Sequence, residues 1–261
     1  MHIQNTSFYL SASIFTIFVN FLTLPIFTRF LGPEDYGIIS MFILFGNILV
    51  AILSIGFRTA LYGLYFKLKK DEFRIINTSS FLFLIILFSL FFYTILEQSG
   101  NYVADKVFNN TLTPEILYLA YLNGCFNYFY QYFLQIFVAQ KRARLFFIVT
   151  VIQITLNASI TFYFLYFLSY SYMGALYGLL FANITVFLIS LFIHRQLFIF
   201  LLSFNNFLRL IKFGFPVVFN TIIGSFYAIF DKTMLLNYRG LIDVGHYDFA
   251  NRFNIILKSF I

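Results

Sequence analysis

Long runs of apolar residues, separated by short polar loops, dominate the hydrophobic pattern of this chain. A helix that spans a bilayer needs about 20 mainly apolar residues. The runs are continuous rather than alternating, so they predict membrane helices and not the strands of a barrel. We therefore expect an all-α membrane protein with about eight transmembrane helices. The predicted spans are Phe8–Phe30, Ile38–Phe57, Ile75–Leu96, Ile116–Val138, Phe146–Leu168, Gly174–Ile193, Phe213–Leu236 and Val244–Ile261.

The charges between these runs alternate between the two sides of the predicted membrane. The loops after spans two, four and six are basic, whereas the other loops carry little net positive charge. Because loops rich in Lys and Arg stay in the cytoplasm, the even-numbered loops and the N-terminus are predicted to be cytoplasmic. The apolar patch Leu197–Leu202 is too short to span, so we expect it on the surface or packed on a neighbour. The basic loop residues are Lys67, Lys69, Lys70, Arg74, Lys141, Arg142, Arg144, Arg195, Arg209 and Lys212.

The composition supports a lipid environment and excludes several classes of function. Hydrophobic residues make up 61% of the chain and charged residues only 10%, whereas a soluble domain carries about 25% charged residues. Cys125 is the only cysteine and the three histidines are far apart, so no metal site is expected. The sequence has no phosphate-binding glycine loop and no nucleophile–base pattern. We therefore predict neither an enzyme nor a cofactor, and no nucleic-acid partner.

The sequence repeats itself weakly at an offset of 208 residues. Both copies begin with a G-x-x-D-x-G turn on the predicted outer side, so the repeats are parallel rather than inverted. A repeat unit of six spans predicts an N-terminal six-helix bundle at 1–205, then a linker and the first two helices of an incomplete second bundle at 206–261. Because this partial copy would leave helix faces unpacked, we expect the complete protein to have at least twelve spans. The matched pairs are Gly32 and Gly240, Asp35 and Asp243, Gly37 and Gly245, Phe45 and Phe253, Ile48 and Ile256, and Leu49 and Leu257.

Several charged residues lie within or near the ends of the predicted spans. A charge at the bilayer centre costs about 2.5–3.5 kcal/mol on insertion scales, and such groups usually face a bundle interior or a wet cavity. One interpretation is therefore a polar cavity that binds an anionic headgroup. The other is snorkelling, in which long Arg and Lys side chains reach the membrane surface. For Arg29 and Arg58 the two interpretations stay open.

Among the charges of the last two spans, Arg252 favours the cavity interpretation, whereas one of Asp231 and Lys232 could face the cavity and the other the outer interface. Arg252 lies one turn after Asp248 on the same predicted helix and could pair with it. Asp231 and Lys232 are adjacent, so they must point to different helix faces. A cation-driven transporter needs a carboxylate in the membrane, and here that role would fall to Asp231 or Asp248.

Two stretches carry a resemblance to a known family. They are LPIFTRFLGPEDYGIISMF, from Leu24 to Phe42, and FGFPVVFNTIIGSFYAIFDKTMLLNYRGLIDVGHYDFANRF, from Phe213 to Phe253. Together they resemble the polysaccharide transporter family, the Wzx-type oligosaccharide flippases, of the multidrug/oligosaccharidyl-lipid/polysaccharide exporter superfamily. This resemblance implies two six-helix bundles that face each other in a V and open alternately to each side of the membrane.

The resemblance also implies a substrate, a location and partners. The substrate would be an undecaprenyl-diphosphate-linked oligosaccharide, such as an O-antigen, capsule or exopolysaccharide repeat unit, in the bacterial cytoplasmic membrane. The implied partners are the bilayer, this anionic lipid-linked substrate, and the glycan polymerase and glycosyltransferases of the same pathway. The implied diphosphate contacts are Arg29, Arg58 and Arg252, and the further candidate substrate-binding residues are Asp231, Lys232 and Asp248.

Three alternatives stay open on the sequence. The first is a cation-coupled multidrug exporter of the same superfamily. The second is an integral membrane glycosyltransferase or polymerase, which needs a larger outer loop with acidic groups than the longest one here, Glu97–Pro114. The third is a non-functional gene remnant.

Overall fold

A computed structural model describes residues 2–54, 56–93, 97–106, 112–199 and 204–258, with side chains at most of these positions. Over these ranges the chain is helical and contains no strand, which confirms the all-α prediction. A 3₁₀ helix at Arg195–Leu197 lies between the eighth and ninth α-helices. The α-helices are α1 (His2–Phe27), α2 (Pro33–Leu53), α3 (Phe57–Tyr65), α4 (Lys70–Phe91), α5 (Glu97–Lys106), α6 (Pro114–Ala139), α7 (Ala143–Tyr166), α8 (Tyr172–Ile193), α9 (Phe204–Arg239) and α10 (Leu241–Lys258).

Each of the eight predicted spans overlaps a long helix, namely α1, α2, α4 and α6 to α10. The ends of the third and eighth predicted spans, 94–96 and 259–261, lie outside the described residues. Within the described residues, α1, α2, α4, α7 and α8 are long and apolar enough to cross a membrane. The helix α6 is less apolar because Asn123, Asn127, Gln131 and Gln135 lie along it. It occupies the interior of the bundle, in contact with α2, α3 and α8. The short helices α3 and α5 were not predicted, and they occupy segments that the sequence assigns to loops.

Local sequence explains where α2 begins. Pro33 occupies the first helical position, where its fixed φ is suitable and its missing N–H costs nothing. The Asp35 carboxylate accepts a hydrogen bond of 2.9 Å from the Gly32 N–H, and its negative charge is favourable at a helix N-terminus. Its other oxygen accepts a bond of 2.7 Å from the Ser171 hydroxyl. The start of α2 is thereby tied to the start of α8.

A tight turn separates α2 from α3. The predicted second span continued to Phe57, but α2 ends at Leu53. Gly56 has a φ of 65°, which is left-handed and favours glycine. A Cβ at this position would also overlap the carbonyl oxygen of Gly214 in α9. Glycine here therefore allows both the turn and the close approach of α9.

Small residues bring the helices of the N-terminal bundle together. Gly46 of α2 and Gly124 of α6 face each other so closely that a Cβ on either would overlap backbone atoms of the other helix. Gly178 of α8 lies against Thr161 of α7 in the same way. Such contacts let membrane helices pack at short range. Gly174 also faces α7, at Phe164, which agrees with a packing role for both glycines of α8.

Aromatic side chains join α4 to α6. The Tyr121 hydroxyl donates a 2.9 Å hydrogen bond to the Phe88 carbonyl oxygen, and the Tyr132 hydroxyl donates one of 2.8 Å to Asn77 Oδ1. Phe198, which follows the 3₁₀ helix, packs edge-on against Phe81 of α4 with ring centres 5.0 Å apart. The described part of the short apolar patch, 197–199, therefore packs on the bundle.

The helix α9 links the N-terminal bundle to α10. Its 36 residues correspond to about 54 Å of length. It joins the predicted linker and span seven into one helix that continues through Pro216. The predicted domain boundary at 206 therefore falls in its first turn, and the division into 1–205 and 206–261 stays a prediction. Gly214 contacts the bundle near one end of α9 and Lys232 contacts it near the other.

Candidate functional site at the repeat interface

The helices α2 and α10 cross at equivalent positions of the sequence repeat. A Cβ on Gly37 would overlap the carbonyl oxygen of Leu241, and a Cβ on Gly245 would overlap that of Pro33. The repeat offset of 208 residues matches Gly37 with Gly245 and Pro33 with Leu241. Each of the two contacts is therefore the repeat equivalent of the other. Such reciprocal contacts are those of two segments related by a local two-fold axis, which agrees with the sequence repeat. That the two copies are parallel stays a prediction.

A polar cluster follows this crossing. Lys232 Nζ of α9 lies 2.8 Å from Asp248 Oδ1 of α10, and the two side chains are only 15% and 14% exposed. The Ser40 hydroxyl of α2 donates a 3.0 Å hydrogen bond to the same Asp248 oxygen and accepts one from Lys232. Ser40 and Asp248 are 208 residues apart, so they are also repeat equivalents. We call Ser40, Lys232 and Asp248 the interface cluster.

The depth of the interface cluster follows from helix geometry. Ser40 and Asp248 each lie seven residues after the start of their helix, which is about 10 Å at 1.5 Å per residue. A charge at such a depth is stable only with a partner and further hydrogen bonds. The cluster supplies both, and it joins the N-terminal bundle to α9 and α10.

Asp231 and Lys232 have different surroundings, as their adjacency requires. Asp231 is exposed, and it accepts a hydrogen bond of 3.3 Å from the Tyr247 hydroxyl of α10. Lys232 is half-buried and faces α2. Asp248 binds Lys232, and its predicted pairing with Arg252 stays a prediction. Arg252 lies on α10, and its side chain is outside the described residues.

The structure does not bring Arg29 and Arg58 together. Arg29 is exposed in the turn between α1 and α2, whereas Arg58 lies in the first turn of α3, beyond the far end of α2. The 21 residues of α2 separate them by about 30 Å. The cleft beside Arg58 measures about 10 Å³, which is room for about one water molecule. A diphosphate contact at Arg58 stays a prediction that requires this cleft to open.

The basic loops meet in a cavity at the end of the bundle away from the interface cluster. The cavity measures about 700 Å³ and is lined by Lys70, Arg74, Arg142 and Arg195. These residues come from the loops after predicted spans two, four and six. The structure therefore places the three loops at one end of the molecule, as the orientation predicted from their charge requires.

A buried histidine lies next to this basic end. Burial lowers the pKa of His194 to about 4, and the positive charge of Arg142 adds to the lowering, although a hydrogen bond to the Ser190 carbonyl oxygen opposes it. His194 is therefore neutral at pH 7, and it packs against the ring of Phe137 at 4.3 Å between centres. The positive charge around this cavity is carried by its lysine and arginine side chains.

Sequence reasoning missed the uncharged members of these sites because it searched for charges inside apolar runs. Ser40 could have been found from the repeat, since an offset of 208 residues pairs it with Asp248. An amide chain was also missed. Gln153 donates to Asn183 Oδ1 at 3.2 Å, and Asn183 donates to Asn123 Oδ1 at 2.9 Å. These bonds join α7, α8 and α6.

The helix arrangement is similar to that of solved membrane transporters. The chain is similar to an inward-facing multidrug resistance MATE family transporter of the MOP superfamily, with a TM-score of 0.67 and 19% identity over 92% of this chain and 58% of that one. It is similar to a MOP superfamily transporter from Pyrococcus furiosus, with a TM-score of 0.68 and 16% identity over 97% and 60%. It is also similar to an outward-facing MATE family transporter, with a TM-score of 0.62 and 16% identity over 97% of this chain and 60% of that one. The chain thus has a MOP-superfamily fold and spans about three-fifths of the length of these structures.

The sequence itself places the chain in a family. Residues 2–261 match the family described as polysaccharide biosynthesis protein, so the chain belongs to this family. The sequence has no significant match among curated proteins. The family match and the transporter fold confirm the resemblance carried by Leu24–Phe42 and Phe213–Phe253. They are also consistent with a protein that is not an enzyme.

Proposed function

We propose that this chain is part of a flippase that moves an undecaprenyl-diphosphate-linked oligosaccharide across the bacterial cytoplasmic membrane. The observation that carries the proposal is the combination of a polysaccharide biosynthesis family with a transporter fold. A transporter in such a pathway contributes movement of the glycan rather than bond formation. A membrane-embedded glycan carrier has an anionic diphosphate that must cross the apolar core, where unpaired charge is costly.

The interface cluster suggests how access and binding are coupled. Opening the outer end of the molecule requires α2 to separate from α9 and α10, which parts Ser40 and Lys232 from each other. Lys232 and Asp248 stay together on α9 and α10, so a phosphate oxygen that enters the open site would replace Asp248 as the partner of Lys232. Arg252 lies one turn further along α10 and would add a second cation. A ligand that binds the open state in this way shifts the population toward it.

The test is surface glycan production in the organism that encodes the chain, with chromosomal variants. We expect Arg29→Gln/Arg58→Gln/Arg252→Gln to reduce surface polysaccharide at least tenfold, because each charge-assisted hydrogen bond to a phosphate contributes about 1.5–3 kcal/mol. Lipid-linked oligosaccharide should accumulate in the inner leaflet. The matched control is Arg144→Gln, an exposed arginine of α7 outside the proposed path. Wild-type surface polysaccharide in the triple variant, at equal membrane levels, contradicts the proposal.

A second candidate function is cation-coupled drug export. It is supported by the MATE transporters among the similar folds and by the carboxylates Asp231 and Asp248 near the interface. Deleting the gene would then abolish efflux of a cationic dye, and this efflux would collapse with the ion gradient while the surface glycan stays unchanged. That combination would replace the flippase proposal.

A further inference from the structure

We propose that the cavity at the basic end of the N-terminal bundle binds a phosphate-bearing anion, the headgroup of an anionic membrane lipid. This basic cavity is separate from the interface cluster and does not depend on the transported substrate. It measures about 700 Å³, within the range of about 300–1,000 Å³ typical of ligand pockets.

The charges around the basic cavity are strongly unbalanced. Lys70 and Arg74 come from the start of α4, Arg142 from the turn before α7, and Arg195 from the 3₁₀ helix, and none of the described lining residues is acidic. Asp71 lies 3.5 Å from Arg74 Nη1, but its side chain is 83% exposed, so this pair contributes little. Four cations that surround one space repel each other, and a bound anion would relieve that repulsion.

Two polar atoms at the basic cavity lack partners. Within the part of the chain that the structure describes, Arg74 Nε and Gln140 Oε1 are buried and form no hydrogen bond. Buried polar groups are nearly always bonded, and an unmet donor or acceptor costs about 1–3 kcal/mol. A phosphate oxygen would accept from Arg74 Nε. A hydroxyl on the same headgroup, as in a phosphoglycerol, would donate to Gln140 Oε1.

Arginine is well suited to this ligand, and one arginine here is already positioned. The planar guanidinium binds phosphate through two parallel hydrogen bonds. Arg195 lies over the ring of Phe192 with 4.7 Å between the guanidinium carbon and the ring centre. Such stacking restrains the side chain and therefore lowers the entropy lost when it binds an anion.

The lining and location favour a lipid over a soluble phosphate. Leu68, Phe73, Leu197 and Phe198 give the basic cavity an apolar part, which would contact the glycerol and upper acyl region of a lipid. The basic cavity lies at the ends of the membrane helices, on the side predicted to be cytoplasmic. Basic pockets between helices on this side are suited to anionic headgroups.

The test is thermal unfolding of the full chain in detergent during titration with phosphatidylglycerol. Phosphatidylcholine of the same acyl chains and inorganic phosphate are titrated in parallel. We expect phosphatidylglycerol, but not phosphatidylcholine, to raise the Tm. The Arg142→Gln/Arg195→Gln variant should need at least tenfold more phosphatidylglycerol for the same shift. Both side chains are exposed, so their neutralisation leaves the packing intact, which an unchanged elution profile would verify.

Arg144→Gln is the matched control, because Arg144 is exposed at the same end and lies outside the lining set. Inorganic phosphate could raise the Tm as much as phosphatidylglycerol does, with the double variant losing this shift. That result would show that the basic cavity binds an anion, but it would reject a lipid as the ligand. An equal shift with phosphatidylcholine would overturn the proposal. So would a wild-type response in the double variant, or an equal loss in Arg144→Gln.

Discussion

At the scale of single residues, a neighbouring helix supplies a partner of Asp248 that the sequence did not predict. The sequence pairs Asp248 with Arg252, because residues four apart on one helix are neighbours. In the structure Lys232 approaches from α9 to 2.8 Å. Sequence spacing describes only the surface of a single helix, so it cannot include a cation that arrives by packing between helices.

We expect Lys232→Met and Asp248→Asn each to destabilise the protein by about 3 kcal/mol, because each leaves a buried charge or polar group without its partner. The double variant Lys232→Met/Asp248→Asn should cost clearly less than the sum, because neither charge then remains. The measurement is the free energy of unfolding of the wild type, the two single variants and the double variant in mixed detergent micelles. Lys212→Met, at an exposed lysine of the same helix, should change little. Additive single effects would show that the two side chains do not interact.

At the scale of elements, run length and apolarity were enough to locate the long helices. They were not enough for α3 and α5, because both are shorter than a span and α5 is also polar. They also gave no reason for the low apolarity of α6, whose amides and tyrosines bond to neighbouring helices, as Asn123 does to Asn183. The repeat predicted the shared G-x-x-D-x-G turn. Gly37 and Gly245, the second glycines of the two turns, lie at the same helix crossing. Only the tertiary structure shows this contact.

The glycine crossing of α2 and α10 can be tested by adding a methyl group. Gly37→Ala and Gly245→Ala should push the two helices apart, since each new Cβ would overlap a carbonyl oxygen. The reporter is disulfide formation between Ser40→Cys and Asp248→Cys in a Cys125→Ala background, because these two side chains are in contact. We expect a high yield in the parent and a several-fold lower yield with either alanine.

Gly63→Ala is the control for this experiment, because a Cβ at Gly63 would meet open space. It should leave the disulfide yield unchanged. Equal yields in all variants would mean that α2 and α10 do not cross at these glycines in the membrane.

At the scale of the whole molecule, the two ends have different characters. Three basic loops meet around one cavity at one end. At the other end lie the crossing of α2 and α10 and the interface cluster. This polarity agrees with the predicted orientation, in which the basic loops are cytoplasmic and the G-x-x-D-x-G turns are outside.

Labelling of intact cells tests this orientation. In a Cys125→Ala background, we expect Tyr170→Cys to react with a membrane-impermeant maleimide, whereas Lys141→Cys should react only after lysis. Both positions are exposed in loops at opposite ends of α7. The reverse pattern would invert the topology and move the basic cavity to the outer leaflet.

The sequence by itself determined the membrane class, the positions of the long helices, the repeat and the grouping of basic loops. These properties depend on composition and on local spacing, which a linear pattern contains. Tertiary structure alone decided that Lys232, Asp248 and Ser40 meet, that Arg29 and Arg58 are about 30 Å apart, and that four cations share one cavity. Those outcomes depend on which helix faces touch, and that is fixed by close packing at small residues such as Gly46 and Gly124 rather than by any one segment.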